Sequence, residues 1–150
     1  MTPITYDLLN RLPKVELHCH LDGCLRPESM LEVADQNGIS LPLNNVAELD
    51  SFLRIGKKRG TLEDYLKRFD ITLSVMQTPE SLTRFAYELI EDVARENVRY
   101  LEVRYSPILH TKHEMTLEET VESVLLGLKN GEKDFGVKSG IIVCGIRSIS

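Results

Sequence analysis

Lys14-Val15-Glu16-Leu17-His18-Cys19-His20-Leu21-Asp22-Gly23 is the stretch on which the reading of this chain turns. In an extended conformation successive side chains alternate between faces, so Glu16, His18, His20 and Asp22 fall on one side and Val15, Leu17, Cys19 and Leu21 on the other. The first side is polar and able to hold a metal. Two imidazoles at i and i+2 of a strand stand side by side, within reach of one divalent cation, whereas a helix would need them four apart. A histidine pair by itself is a weak motif, and a half-exposed strand with two incidental histidines is the plain alternative. What strengthens the metal reading is context: an apolar opposite face, an acid two positions on, and Gly23 to turn the chain away.

Upstream, Tyr6, Leu8, Leu9 and Leu12 predict a short helix over 5–12 that Pro13 stops. Downstream, Pro27 opens a helix with an apolar stripe of Met30, Leu31, Val33 and Ala34, ending at Asn37-Gly38. Val46, Leu49, Phe52 and Leu53 predict another, followed by a loop through Gly56, Lys57-Lys58-Arg59 and Gly60. Thr61 caps a helix of about 15 residues whose Leu62, Tyr65, Leu66, Phe69 and Leu73 recur at helical spacing, a stripe that reads as core in preference to a ligand wall. Thr78-Pro79 begins a further helix running to Asn97. Val98 to Tyr105 then alternates as a strand, with Tyr100, Glu102 and Arg104 on its polar side.

Pro107 ends that strand, and residues 108–115 read as a solvated loop, although His110 and His113 admit a second metal reading. Thr116 and Glu119 form a capping box for a helix toward Gly131 or Gly136. Gly140 to Ile146 is an apolar run, the pattern of a parallel strand covered on both faces.

At 150 residues, 42% hydrophobic and 27% charged, the composition is that of a globular chain with a core. A net charge of -5 argues against nucleic acid or an anionic membrane surface as partner. No run reaches the roughly 18 apolar residues of a membrane span, and no secretory leader is evident, so the expected location is cytoplasmic. Cys19, Cys24 and Cys144 are an odd set with no framework spacing, as in a reducing compartment. Cys24 is a possible third ligand beside the histidines, or a small core filler.

Strands separated by long helical crossovers pair in parallel, which makes this an α/β chain. Ligands of such folds sit at the strands' carboxyl ends, where His18, His20 and Asp22 meet Arg104 and Ser106. Three parallel strands leave unpaired edges. The expectation is therefore a (β/α)8 barrel whose N-terminal part is residues 1–150, one hydrolase domain continuing beyond them; an open α/β domain is the alternative.

The run Pro13 to Gly23, taken with Tyr100-Leu101-Glu102-Val103-Arg104-Tyr105-Ser106-Pro107, Thr61 to Asp70 and Gly131 to Gly136, resembles the adenosine deaminase family of metal-dependent amidohydrolases. The resemblance implies that His18 and His20 ligate zinc, that Asp22 hydrogen-bonds a ribose hydroxyl, and that Tyr65 and Phe69 help form an apolar lid over the nucleoside. That last role reverses the core reading of their stripe. It further implies hydrolytic deamination of adenosine or 2'-deoxyadenosine to the inosine product and ammonia, with a purine nucleoside as small-molecule partner. A third histidine ligand, the proton-donating Glu, a further His behind the metal and a ligating Asp would lie beyond residue 150, so no catalytic residue is assigned within the chain. An adenine or other aminopurine deaminase is the alternative, and a non-catalytic α/β binding module the alternative of another class. The H-x-E and P-C-x-x-C motifs of the other zinc deaminases are absent.

Overall fold

In a computed structural model, residues 3–54 and 62–147 are described, with the backbone alone for 62–67. The elements run α1 (Tyr6–Arg11), β1 (Lys14–His20), a 3-10 turn (Leu21–Gly23), α2 (Pro27–Gln36), α3 (Val46–Leu53), α4 (Leu62–Ser74) and α5 (Pro79–Arg95). They continue as β2 (Val98–Tyr105), a second 3-10 turn (Pro107–His110), α6 (Leu117–Phe135) and β3 (Lys138–Val143). The strands form one parallel sheet in the order β1-β2-β3.

Local chemistry sets the helix ends. Thr78 and Ser81 cap α5 reciprocally, as Thr116 and Glu119 cap α6, each pair satisfying two amides that the first turn leaves open. Gly136 closes α6 in the left-handed conformation, φ 72°, so the sequence's second candidate stop is the one used. The Lys57-Lys58-Arg59 loop and the Thr61 cap lie outside the described residues.

The core lies on one side of the sheet. Leu101, Val103 and Tyr105 of β2 are buried against Leu82, Phe85, Ala86, Leu89 and Ile90 of α5 and Val124 and Leu128 of α6. The two helices pack closely because α6 presents glycines: a Cβ at Gly131 would stand 2.6 Å from Ile90 Cβ, and one at Gly127 would overlap the Thr83 carbonyl oxygen. Arg26, entering α2, binds Asp92 at 2.6 and 2.9 Å and Glu91 at 2.8 Å, which holds α2 to α5 with charge-assisted bonds.

Three expectations are corrected here. β1 does not alternate strictly: Glu16 pairs with Leu101 and Cys19 with Val103, so three steps on β1 span two on β2 and a bulge intervenes. Val15 and Leu17, expected on a covered apolar face, are exposed, on the strand whose outer edge no described strand pairs. β3 begins at Lys138 and ends at Val143, earlier at both ends than the apolar run suggested, and it is half-buried along its middle instead of covered twice. Glu132 Oε1 accepts from the Ser139 amide at 2.6 Å and fixes the early start, while Ile141 packs on the core from one face only.

Candidate metal centre and substrate pocket

Past the bulge, β1 regains register: His20 lies opposite Arg104, on the sheet face away from Leu101 and Val103. The rings of His18 and His20 stand side by side, centroids 5.4 Å apart and planes inclined by 32°. This is the juxtaposition expected of two strand imidazoles meeting one cation. Glu16 is not beside them; its Oε1 accepts from the His18 amide at 2.9 Å and turns back on the bulge. Arg104 donates from Nη2 to Leu17 O at 3.1 Å, bracing the exposed strand. Its Nε is buried with no partner among the described residues. Ser106, expected at the same end, turns to β3 and donates to Cys144 O at 2.9 Å.

The 3-10 turn after His20 plunges inward. Leu21 is wholly buried and Asp22 is 7% exposed. Asp22 Oδ1 has no hydrogen-bond partner among the described residues, and His20 Nδ1 at 3.8 Å is too far to supply one. Burial pushes the Asp22 carboxyl above its usual range, with His20 pulling weakly the other way. Asp22 also forms part of the wall of a cavity of about 140 Å³, with Gly23, Leu25, Leu53, Arg68, Phe69 and Thr72. The Phe69 ring packs over the turn, 3.9 Å from where a Gly23 Cβ would be, so the structure brings Phe69 to Asp22. The Tyr65 side chain lies outside the described residues. Leu53 and Arg68 were not singled out in the sequence as pocket residues. Leu53 belongs to the apolar stripe of α3, which looks the same whether it meets core or cavity, and Arg68 had no signal beyond its place beside Phe69.

Two neutral imidazoles suit half of a tetrahedral zinc set. The described residues contain no cluster of three His, Cys, Asp or Glu able to complete one. Cys24 does not join the pair, since its Sγ lies 3.4 Å from Cys19 Sγ, and Cys19 is in register with the helix-facing Val103. The His110 and His113 loop is also corrected. Pro107 opens a 3-10 turn that carries His110 beneath the end of α4, fully buried, with Nδ1 donating to Met76 O at 2.9 Å; His113 stays exposed. They share no ligand face.

Solved structures of the same shape carry this geometry further. Adenine deaminase from Arthrobacter aurescens superposes with a TM-score of 0.78 at 32% identity, over 91% of this chain and 40% of that one. An amidohydrolase from Burkholderia ambifaria with bound Zn gives 0.75 at 28% identity, over 95% and 39%. The N6-mAMP deaminase of Arabidopsis gives 0.71 at 27%, over 91% and 42%. The fold is thus the opening part of a (β/α)8 barrel of the amidohydrolase class.

The profile of adenosine deaminase matches residues 13–150. Curated adenosine deaminases from Clostridium botulinum and Clostridium perfringens are 45% and 44% identical over 139 and 141 residues. The chain belongs to the adenosine deaminase family. It spans 42% of the length of these relatives.

Proposed function

We propose that the protein carrying this chain is a zinc-dependent hydrolase that deaminates adenosine and 2'-deoxyadenosine, releasing ammonia. The observation behind this reading is the adjacent imidazole pair of His18 and His20 above a small cavity that holds an unmet, buried carboxylate. In it His18 and His20 hold the metal through neutral nitrogens, which leaves the cation's charge undiminished. Zinc bound there would supply an activated water at neutral pH. Asp22 accepts a hydrogen bond from a ribose hydroxyl, which gives its Oδ1 the partner it lacks among the described residues. Phe69, with Tyr65 on the same helix, closes the apolar side of the pocket and excludes water. The proton-donating groups belong to the rest of the barrel, as one domain that continues past residue 150. A cytoplasmic location is part of the proposal; among the described residues no helix is long and apolar enough to cross a membrane.

Adenine or another 6-aminopurine is the second reading, favoured by the likeness to an adenine deaminase at 32% identity. The test uses the natural full-length polypeptide, assayed with adenosine and with adenine, alongside His20→Ala. The expected result is about one zinc per chain, faster turnover of adenosine, and a fall of at least about a hundredfold in zinc affinity and turnover for His20→Ala. Faster turnover of adenine would move the specificity to the free base. Undiminished zinc in His20→Ala would overturn the ligand assignment, and a zinc-loaded wild type inert to both substrates would favour a binding module.

A further inference from the structure

Two thiols meet beside the imidazole pair without serving it. Cys19, between the two histidines, is half-buried, and Cys24, which caps the 3-10 turn, is exposed. The turn doubles the chain back so that their sulfurs come within 3.4 Å, with the Cys24 amide held by Leu21 O at 3.2 Å. The third cysteine, Cys144, meets a different group: its Sγ faces the Ile142 carbonyl at 3.8 Å. A disulfide has an S–S length of about 2.05 Å, so closure asks for an approach of roughly 1.4 Å, within what side-chain rotation supplies at an exposed position.

We propose that Cys19 and Cys24 are a reversible dithiol site, oxidised by hydroperoxides to an intramolecular disulfide. One thiol loses its proton, and the thiolate attacks the peroxide O–O bond, giving a sulfenic acid and releasing hydroxide, which the proton neutralises. The second thiol then attacks that sulfur, forming the S–S bond and expelling the hydroxyl as water. Two thiols and one hydrogen peroxide give one disulfide and two waters, with sulfur oxidised and oxygen reduced. A bond closing so short a loop in contact with solvent is readily reduced again by a small thiol. Its closure ties the strand between the two imidazoles to the far end of the turn bearing Asp22, which fixes that turn.

The test treats the natural full-length protein, purified reduced, with hydrogen peroxide, then alkylates the remaining thiols and cleaves before aspartates without reduction. Cleavage before Asp7, Asp22 and Asp35 separates peptide 7–21, with Cys19, from peptide 22–34, with Cys24. The expected product, from protein that stays monomeric on a non-reducing gel, is the two peptides joined, separable by reduction, with Cys144 still alkylated. In Cys24→Ser, and equally in Cys24→Ala, the joined product should vanish and Cys19 should go on to the sulfinic acid at peroxide doses that leave the wild type as the disulfide, whereas Cys144→Ser should leave the yield unchanged. Recovery of the two wild-type peptides apart, each with its own oxidised or mixed-disulfide cysteine, would overturn the proposal. So would a linkage to Cys144 in the same wild-type peptide map, which needs no variant to fold.

Discussion

Two buried carboxylates show how differently the two sides of this molecule are made. Glu88, on α5, accepts at Oε1 from Ser29 Oγ at 2.7 Å and from Arg84 Nε at 2.8 Å, so although Oε2 has no partner among the described residues, its charge is met by a guanidinium within the scaffold. Asp22, at the tip of β1, is as deeply buried, yet among the described residues no guanidinium or ammonium meets it and Oδ1 has no donor. The helix side of the sheet is closed: strand, α5 and α6 interlock through Leu101, Phe85 and the two glycines. The β1 tip is open, with exposed imidazoles and a cavity. Stability resides in the first region and unspent binding capacity in the second.

If that division is right, damage to the helix side should be large and silent at the site. Leu101 has no exposed surface, and Leu101→Ala should remove about 3–4 kcal/mol of stability, from lost transfer energy and an unfilled cavity between well-packed helices. A denaturant titration should show a lower midpoint with an unchanged slope, and zinc content of the folded fraction should not move. A loss under about 1 kcal/mol would mean the sheet is loosely covered and would break the comparison.

The open region should respond in the opposite sense. Asp22→Asn keeps the shape and removes an uncompensated buried charge, so stability should rise, by about 1 kcal/mol, while affinity for a purine nucleoside drops about tenfold. A destabilised variant would show that Asp22 already has a partner in the folded protein, and Oδ1 would no longer count as an unmet acceptor.

Much of this was legible in the sequence because it depends on local rules. Thr78-Pro79, the Thr116 to Glu119 box and the Asn37-Gly38 stop follow from amides that a helix end must satisfy, and β2 starts and ends where its alternation does. The proximity of His18 and His20 was legible for the same reason, since strand geometry brings i and i+2 together. What was hidden is what depends on distant residues. The β1 bulge comes from register against β2, and no pattern within Lys14 to Gly23 announces that Glu16 must leave the histidine face. The edges of β3 depend on Glu132 reaching the Ser139 amide, a contact between helix and strand. Nor can period alone say that Leu53 lines a cavity.

His110 gives the smallest effect and the finest test, because the sequence around it reads as solvated while the structure buries it. Its Nδ1–H donates to Met76 O, which only a ring carrying a proton on that nitrogen can do. The Tyr105 ring faces it at 5.5 Å, and burial pushes that phenol up to about 12, so Tyr105 stays neutral wherever the imidazole titrates. Burial also holds the His110 pKa below the ordinary 6.5, with the Met76 carbonyl opposing only in part. Unfolded, the same imidazole titrates near 6.5, so below that pH the unfolded chain binds the extra proton first. Stability should therefore be complete above about pH 6.5 and decline as pH falls toward the folded-state value, with a slope of at most about 1.4 kcal/mol per unit. His110→Asn should flatten this part of the curve whatever it does to the absolute stability. Measured by urea unfolding with chelator present, equal slopes would show that His110 is protonated as easily in the fold as out of it. In that event the helix side would not be closed at the point where β2 hands over to α6.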